Sequence, residues 1–237
     1  QNNGNGDWTE VGLALGVGGI FDGWSWSYGS TVGSVFGDMD NDGHLDLFVG
    51  NHSLPDAWQD RSMFLRNTGP PGYVFEDMSD WAALSWQQSY GTPALVDYDN
   101  DGDLDLFITT TNEGDTPALY RNDGGWLFTD VTEEAGLADL QPTLQNAWAD
   151  YDRDGDMDLL TGGGLYENTS ALTTHWLEVN LVGNISNIQQ NAIGAQVRIV
   201  AGLLGDSTEY MLTRQVVSGT GEGNQDDMKL HFGLGDW

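Results

Sequence analysis

One nine-residue pattern, D-x-D-x-D-G-x-x-D, occurs three times: Asp38-Met-Asp-Asn-Asp-Gly-His-Leu-Asp46, Asp97-Tyr-Asp-Asn-Asp-Gly-Asp-Leu-Asp105 and Asp150-Tyr-Asp-Arg-Asp-Gly-Asp-Met-Asp158. Alternate carboxylates at positions 1, 3 and 5 converge inside a tightly turning backbone, and Gly at position 6 permits the sharp turn. These are Asp38, Asp40 and Asp42, then Asp97, Asp99 and Asp101, then Asp150, Asp152 and Asp154. Position 7 (His44, Asp103, Asp156) offers a backbone carbonyl, and position 9 (Asp46, Asp105, Asp158) can close the shell. The result is an all-oxygen site of about six or seven ligands, which suits Ca²⁺ better than the smaller, octahedral Mg²⁺. Three Ca²⁺ sites are therefore expected. Asp/Gly-rich segments also make plain turns. Three near-identical copies holding 14 of the 37 acidic residues are hard to explain without a cation.

The elements that must hold these loops repeat as well. Each loop runs into an apolar strand: Leu45-Asp-Leu-Phe-Val49, Leu104-Asp-Leu-Phe-Ile108 and Met157-Asp-Leu-Leu160. An aliphatic or aromatic pair before Asn follows, at Phe64-Leu-Arg-Asn67, Leu119-Tyr-Arg-Asn122 and Leu165-Tyr-Glu-Asn168. Between loops lies an aromatic-led strand, Phe75-Glu-Asp-Met78 or Phe128-Thr-Asp-Val131, and Trp8-Thr-Glu-Val11 matches it ahead of the first loop. The first unit carries an insert around residues 19–29. A helix–loop–helix calcium hand would need Glu at position 12 and a following helix. Val49, Ile108 and Thr161 stand there instead, inside β-rich segments.

These units resemble the FG-GAP/VCBS-type calcium repeats of integrin-like β-propellers, over about residues 8–169, and Val35-Phe36-Gly37-Asp38 carries the Phe-Gly of the name. The resemblance implies small antiparallel sheets with Ca²⁺ at one inter-strand turn, held by the Asp at positions 1, 3, 5 and 9. The remaining chain resembles an ASPIC/UnbV module in His175-Trp-Leu-Glu-Val-Asn-Leu181, Asn191-Ala-Ile-Gly-Ala-Gln-Val-Arg198 and His231-Phe-Gly-Leu-Gly235. Its residues read as β structure independently. Leu177, Val179 and Leu181 alternate with polar residues, as do Val197 and Ile199. The expected fold is all-β: three propeller-blade-like calcium repeats, open instead of ring-closed, in residues 1–170, and a small C-terminal β domain in 171–237. Closed propellers need at least four blades, and the ASPIC/UnbV pattern normally continues past its Gly-Leu-Gly. Both modules thus read as incomplete, with open sheet edges that template pairing with another chain.

Charge narrows the partners. The 237 residues carry 37 acidic against 7 basic groups, a net charge of −30, with Lys229 the single lysine. Such a surface repels phosphate, which excludes nucleic acid and anionic membranes as natural partners. The longest mainly apolar run, Val11–Phe21, is about half the ~20 residues of a membrane span, so no membrane insertion is expected. The absence of Cys excludes disulfides and thiolate metal sites. The chain starts at Gln1 without Met and reads as a mature chain whose leader has been removed, hence secreted, extracellular or at the cell surface.

Other signals are weaker. Trp24, Trp26 and Tyr28 at period 2, with Trp58, Trp81 and Trp86, could stack on sugar faces or simply fill blade packing. Sequons at Asn51, Asn168 and Asn184 mark candidate surface loops. Catalysis finds little support. His44, His52, His175 and His231 are scattered, no nucleophile elbow occurs, and Gly219-Thr-Gly-Glu-Gly223 carries Glu222 where a phosphate loop would need a cation. The function expected is a non-enzymatic, calcium-stabilised extracellular structural protein that assembles with copies of itself into a fibre or surface layer. The N-terminal arm, with Thr9, Val11, Leu13, Leu15 and Val17 on one face, would donate a strand to a neighbour. The alternatives are a monomeric adhesion or glycan-binding module and an acidic-site hydrolase.

Overall fold

The computed structural model of the chain describes residues 4–17, 30–52, 61–85, 89–170, 174–183, 191–201, 210–219 and 223–236. Trp24, Trp26, Tyr28, Trp58, Trp86, Asn184 and the centre of the 219–223 segment lie outside them. The fold is all-β, and among the described residues no sheet closes on itself.

Blade 1 is an antiparallel sheet of β1 (Ser30–Gly37), β2 (Asp46–His52), β3 (Met63–Asn67) and β4 (Phe75–Asp77), in that order. Blade 2 repeats it with β5 (Tyr90–Val96), β6 (Asp105–Thr110), β7 (Ala118–Asn122) and β8 (Phe128–Asp130). Among the described residues blade 3 has three strands, β9 (Asn146–Ala149), β10 (Asp158–Thr161) and β11 (Gly164–Tyr166). The register repeats with the sequence. Asn67 lies opposite Phe75 and Asn122 opposite Phe128.

The second strand of a blade is apolar on both sides because the blade is sandwiched; β6 is buried along its whole length. Phe48 and Phe64 of blade 1 share a core with Ile108, Tyr120 and Phe128 of blade 2. Phe107 and Leu119 of blade 2 share the next core with Trp148 and Leu159 of blade 3. Phe64 stacks on Phe128 at 4.6 Å between ring centroids, and Phe107 meets Trp148 edge-on at 5.6 Å. Gly33 and Gly50 make the close approach of blades 1 and 2 possible. A side chain at Gly33 would lie 2.7 Å from the Pro93 ring, and one at Gly50 would lie 2.6 Å from the Gly91 carbonyl.

The N-terminal arm departs from the extended strand expected over residues 9–17. It forms one helical turn, α1 (Gly12–Leu15). Glu10 Oε1 accepts the Gly12 N–H, and Gly16 ends the turn in the left-handed region at φ 80°. The same device follows blade 1. Asp77 Oδ1 accepts the Ser79 N–H at 2.9 Å, and α2 (Ser79–Ala82) ends at Ala83 with φ 52°. After blade 2, Asp130 Oδ1 accepts the Thr132 N–H at 3.0 Å and Gly136 has φ 73°. Local capping therefore overrides the alternating apolar pattern of the arm. Gly16 sits against the Phe75 backbone, where any side chain would run into the Phe75 carbonyl.

In the C-terminal module β12 (His175–Val179) pairs with β15 (Leu230–Gly235), and β13 (Gln196–Ala201) with β14 (Tyr210–Gln215). Leu212, Val216, Leu230 and Phe232 form its core, with Val197 and Ile199 packed against it. Among the described residues no helix is long and apolar enough to cross a membrane.

Candidate metal centres

The three acidic loops join β1 to β2, β5 to β6 and β9 to β10. Two left-handed residues fold each loop tightly. Asn41, Asn100 and Arg153 at position 4 have φ 56°, 60° and 69°, and Gly43, Gly102 and Gly155 at position 6 have φ 89°, 100° and 99°. The position-6 amide donates back to the position-1 carboxylate, from Gly43 to Asp38 and from Gly155 to Asp150 at 3.1 Å, and from Gly102 to Asp97 at 3.4 Å. Position 5 accepts the position-7 amide, as when His44 N–H donates to Asp42 at 2.9 Å.

This arrangement brings one oxygen each of Asp38, Asp40 and Asp42 within 4.8 Å of one another, and likewise of Asp97, Asp99 and Asp101. In the third loop the converging set is Asp150, Asp152 and Asp158. Asp38 Oδ1 and Asp99 Oδ1 are buried in these clusters with no hydrogen-bond partner. A buried, partnerless carboxylate oxygen is costly, and a cation in the cluster would satisfy it. The three clusters could hold metal ions, and their all-oxygen donors are compatible with Ca²⁺.

Position 9 has a second task. Asp46 accepts from Met39 N–H (2.9 Å) and Asn67 N–H (2.8 Å). Asp105 does so from Tyr98 (3.0 Å) and Asn122 (2.8 Å), and Asp158 from Tyr151 (3.1 Å) and Asn168 (2.8 Å). In blades 1 and 2 the residue clamps the loop to the third strand; in blade 3 it clamps the loop just beyond that strand.

Burial without a cation makes ionisation unfavourable. It pushes Asp38 up to about 6, Asp46 to about 8 and Asp99 to about 7, with Asp40 and Asp42 adding repulsion at Asp46. Asp97 rises to about 6 because burial outweighs the attraction of Arg214. Asp103 and Asp156 also rise to about 6, through burial and neighbouring carboxylates. Asp105 goes well above the usual range, and Asp101 and Asp158 rise, chiefly through burial.

Several participating residues carry no signal in the motif. Arg66 on β3 donates Nε to Asp40 at 2.8 Å and partly neutralises the first loop. Asparagines link successive loops. Asn41 donates to Asp103 (2.6 Å) and Asn100 to Asp156 (2.8 Å), which gives position 7 a side-chain role besides its expected carbonyl. Asn122 Nδ2 donates to Met39 O (2.9 Å) in blade 1 and Leu104 O (3.1 Å) in its own loop. Asn168 Nδ2 likewise reaches Tyr98 O at 2.8 Å. The Asn that follows each third-strand pair is visible in the repeat; its reach into the preceding loop is not.

The C-terminal module rests on all three loops. Arg198 donates to Gly43 O, and Met211 Sδ lies 3.0 Å from where a Gly43 side chain would start. Arg214, buried, donates to Gly102 O at 3.0 Å, lies 3.5 Å from Asp97 and stands over the Phe232 ring at 5.4 Å. Gly233 N–H donates to Asp97 at 2.8 Å and Gly235 N–H to Asn100 O at 2.9 Å. Trp176 covers Gly155 so closely that no side chain fits there.

Two sequons do not mark free surface loops. Asn51 is buried in β2 and donates to Arg61 O at 2.9 Å, and Asn168 is the half-buried link above.

The family described as FG-GAP-like repeat matches residues 62–161, from the third strand of blade 1 to the second of blade 3. A search of curated proteins returns no match.

Proposed function

We propose that this chain is a non-enzymatic, calcium-stabilised extracellular structural protein that assembles with copies of itself, as a fibre or surface layer. The observation that carries the reading is the placement of the acidic clusters. Each sits at the joint between two strands of a blade and beneath the C-terminal module. Ca²⁺, when bound, supplies the positive charge that offsets the clustered carboxylates. Asp38, Asp40, Asp42 and Asp46, with their counterparts in the other loops, would hold it. The similarity to FG-GAP-like repeats supports the extracellular setting. We read the C-terminal module as ASPIC/UnbV-like, since His175–Leu181, Asn191–Arg198 and His231–Gly235 contribute to β12, β13 and β15. Open sheet edges support assembly.

Particle size tests the reading, by light scattering and negative-stain microscopy in Ca²⁺ and then in excess chelator. Large particles that dissolve on chelation are expected. A monodisperse single chain in both conditions would end the assembly reading. A second reading, a monomeric glycan-binding or adhesion module, draws on Trp81, which is 69% exposed beside Asp80. It predicts a monomer whose tryptophan fluorescence responds to a sugar panel.

A further inference from the structure

The two asparagine links between loops join matching positions. Asn41 stands between Asp40 and Asp42, two carboxylates of the first cluster, and its Nδ2 donates to Asp103 Oδ1 at 2.6 Å. Asn100 stands between Asp99 and Asp101 of the second cluster, and its Nδ2 donates to Asp156 Oδ1 at 2.8 Å. Each link therefore runs from position 4 of one loop to position 7 of the next, across 62 and 56 residues of sequence. Position 7 is the residue whose backbone carbonyl we read as a cation ligand. A carboxylate side chain is not needed for that task, and it adds charge to a crowded cluster. The asparagine amide supplies the donor that makes it tolerable, and a hydrogen bond to a carboxylate is stronger than one between neutral groups.

Both ends of a link are also fixed by their own loop. Asn41 and Asn100 hold the left-handed backbone, at φ 56° and 60°, that turns the chain between the carboxylates of positions 3 and 5. Asn visits that region more readily than most residues with a side chain. At the other end the Asp103 N–H donates to Asp101 at 2.8 Å, and the Asp156 N–H donates to Asp154 at 3.0 Å. Asn100 is 1% exposed and also donates to Gly155 O at 3.0 Å, so it grips the backbone beside Asp156 as well as its side chain. The same positions elsewhere behave differently. His44, at position 7 of the first loop, meets Tyr73 of its own blade edge-on at 6.3 Å, and Arg153, at position 4 of the third, is exposed. The loop motif by itself thus demands neither Asn at position 4 nor Asp at position 7.

We infer that Asn41 and Asn100 are positioning residues that couple neighbouring cation sites: a filled loop 1 raises the Ca²⁺ affinity of loop 2, a filled loop 2 raises that of loop 3, and each effect is reciprocal. This rests on the calcium reading and deepens it. Asp40 and Asp42, when they hold a cation, restrict Asn41 between them and so restrict its amide. The amide holds Asp103, and residue 103 is then already ordered when its own loop takes a cation. Ordering a residue costs conformational entropy. A residue held by the neighbouring loop costs less to fix, so the second site binds more tightly. Asn100 acts in the same way between Asp99, Asp101 and residue 156.

The test is equilibrium dialysis of the full-length chain against chelator-buffered, radiolabelled Ca²⁺, which counts bound ions whatever the particle size. Every chain carries Asp152→Ala with Asp154→Ala, both at exposed positions, so that loops 1 and 2 alone bind. Loop 1 is then disabled by Asp40→Ala with Asp42→Ala. The link is cut by Asn41→Gly, which leaves the left-handed backbone accessible. With the link intact, disabling loop 1 is expected to raise the half-saturating Ca²⁺ of loop 2 by about fivefold or more. With Asn41→Gly the same disabling is expected to shift it by less than about twofold, the residual of independent sites. Asp103→Ala cuts the link from the other side, keeps the backbone carbonyl, and decides the matter should Asn41→Gly fail to fold. A shift of equal size with the link intact and cut, or no shift in either case, overturns the coupling and leaves calcium stabilisation standing. A chain with all three loops intact that binds no Ca²⁺ overturns both.

Discussion

Blades 2 and 3 carry nearly the same loop and differ in what surrounds it. Asp97 is 2% exposed, lies under Gly233 and faces the buried Arg214. In the third loop Asp152 and Asp154 face solvent, with Trp176 as the cover over Gly155. Arg121 on β7 has Glu167, just past β11, as its counterpart. One motif therefore yields two electrostatic situations, because the cost of a carboxylate depends on the solvent its neighbours remove.

The largest effect separating these situations is expected from calcium removal. At free Ca²⁺ about 100-fold above its dissociation constant, each site adds about 2.7 kcal/mol. In calcium-free buffer the carboxyls with raised pKa disfavour the folded state once ionised. The stability they contribute is fully present below the unfolded value near 3.8 and is lost as pH rises through about 6 (Asp38, Asp97), 7 (Asp99) and 8 (Asp46). Melting curves without calcium should therefore fall with rising pH, and saturating Ca²⁺ should flatten the trend.

Arg214→Met should cost about 3–5 kcal/mol in calcium-free denaturant unfolding near neutral pH, since it leaves buried carboxylates without a counter-charge. Arg66→Met, half-exposed, should cost under about 1 kcal/mol. Equal losses would show that the C-terminal module does not seal the second loop. Phe107→Ala should cost about 3–5 kcal/mol. Leu160→Ala should stay within about 0.5 kcal/mol under conditions that hold the chain monomeric. A large loss at Leu160 in the monomer would mean that this face is already covered. The smallest contrast is Asn122→Ala, about 1–3 kcal/mol because it strands carbonyls in two blades, against about 1 kcal/mol for Asn67→Ala, whose side chain donates to Leu45 O within its own blade. Thermal melts of the two variants measure it.

Much of the site is legible in the residues alone. The Asp spacing, position-6 glycine and apolar strand place three loops between strands, and Asn67, Asn122 and Asn168 stand out as repeated residues. The arm is the exception. Alternation from Thr9 to Val17 matches a strand, but Glu10 and Gly16 close a helical turn whose capping signal is short and local. Nothing near Asp97 in sequence announces Arg214, and nothing near Gly155 announces Trp176, because those contacts join residues far apart along the chain or in different modules.

The chemistry of the loops and the period of the blades follow from residue types and spacing, since both depend on residues within a few positions of one another. Packing between distant segments sets which carboxylates are buried, which asparagines tie one loop to the next, and how the C-terminal module covers all three loops. It also leaves Leu160 and Leu165 uncovered where Phe107 and Leu119 are not. Burial is a property of what packs against a residue, and the same short motif meets different neighbours in each blade.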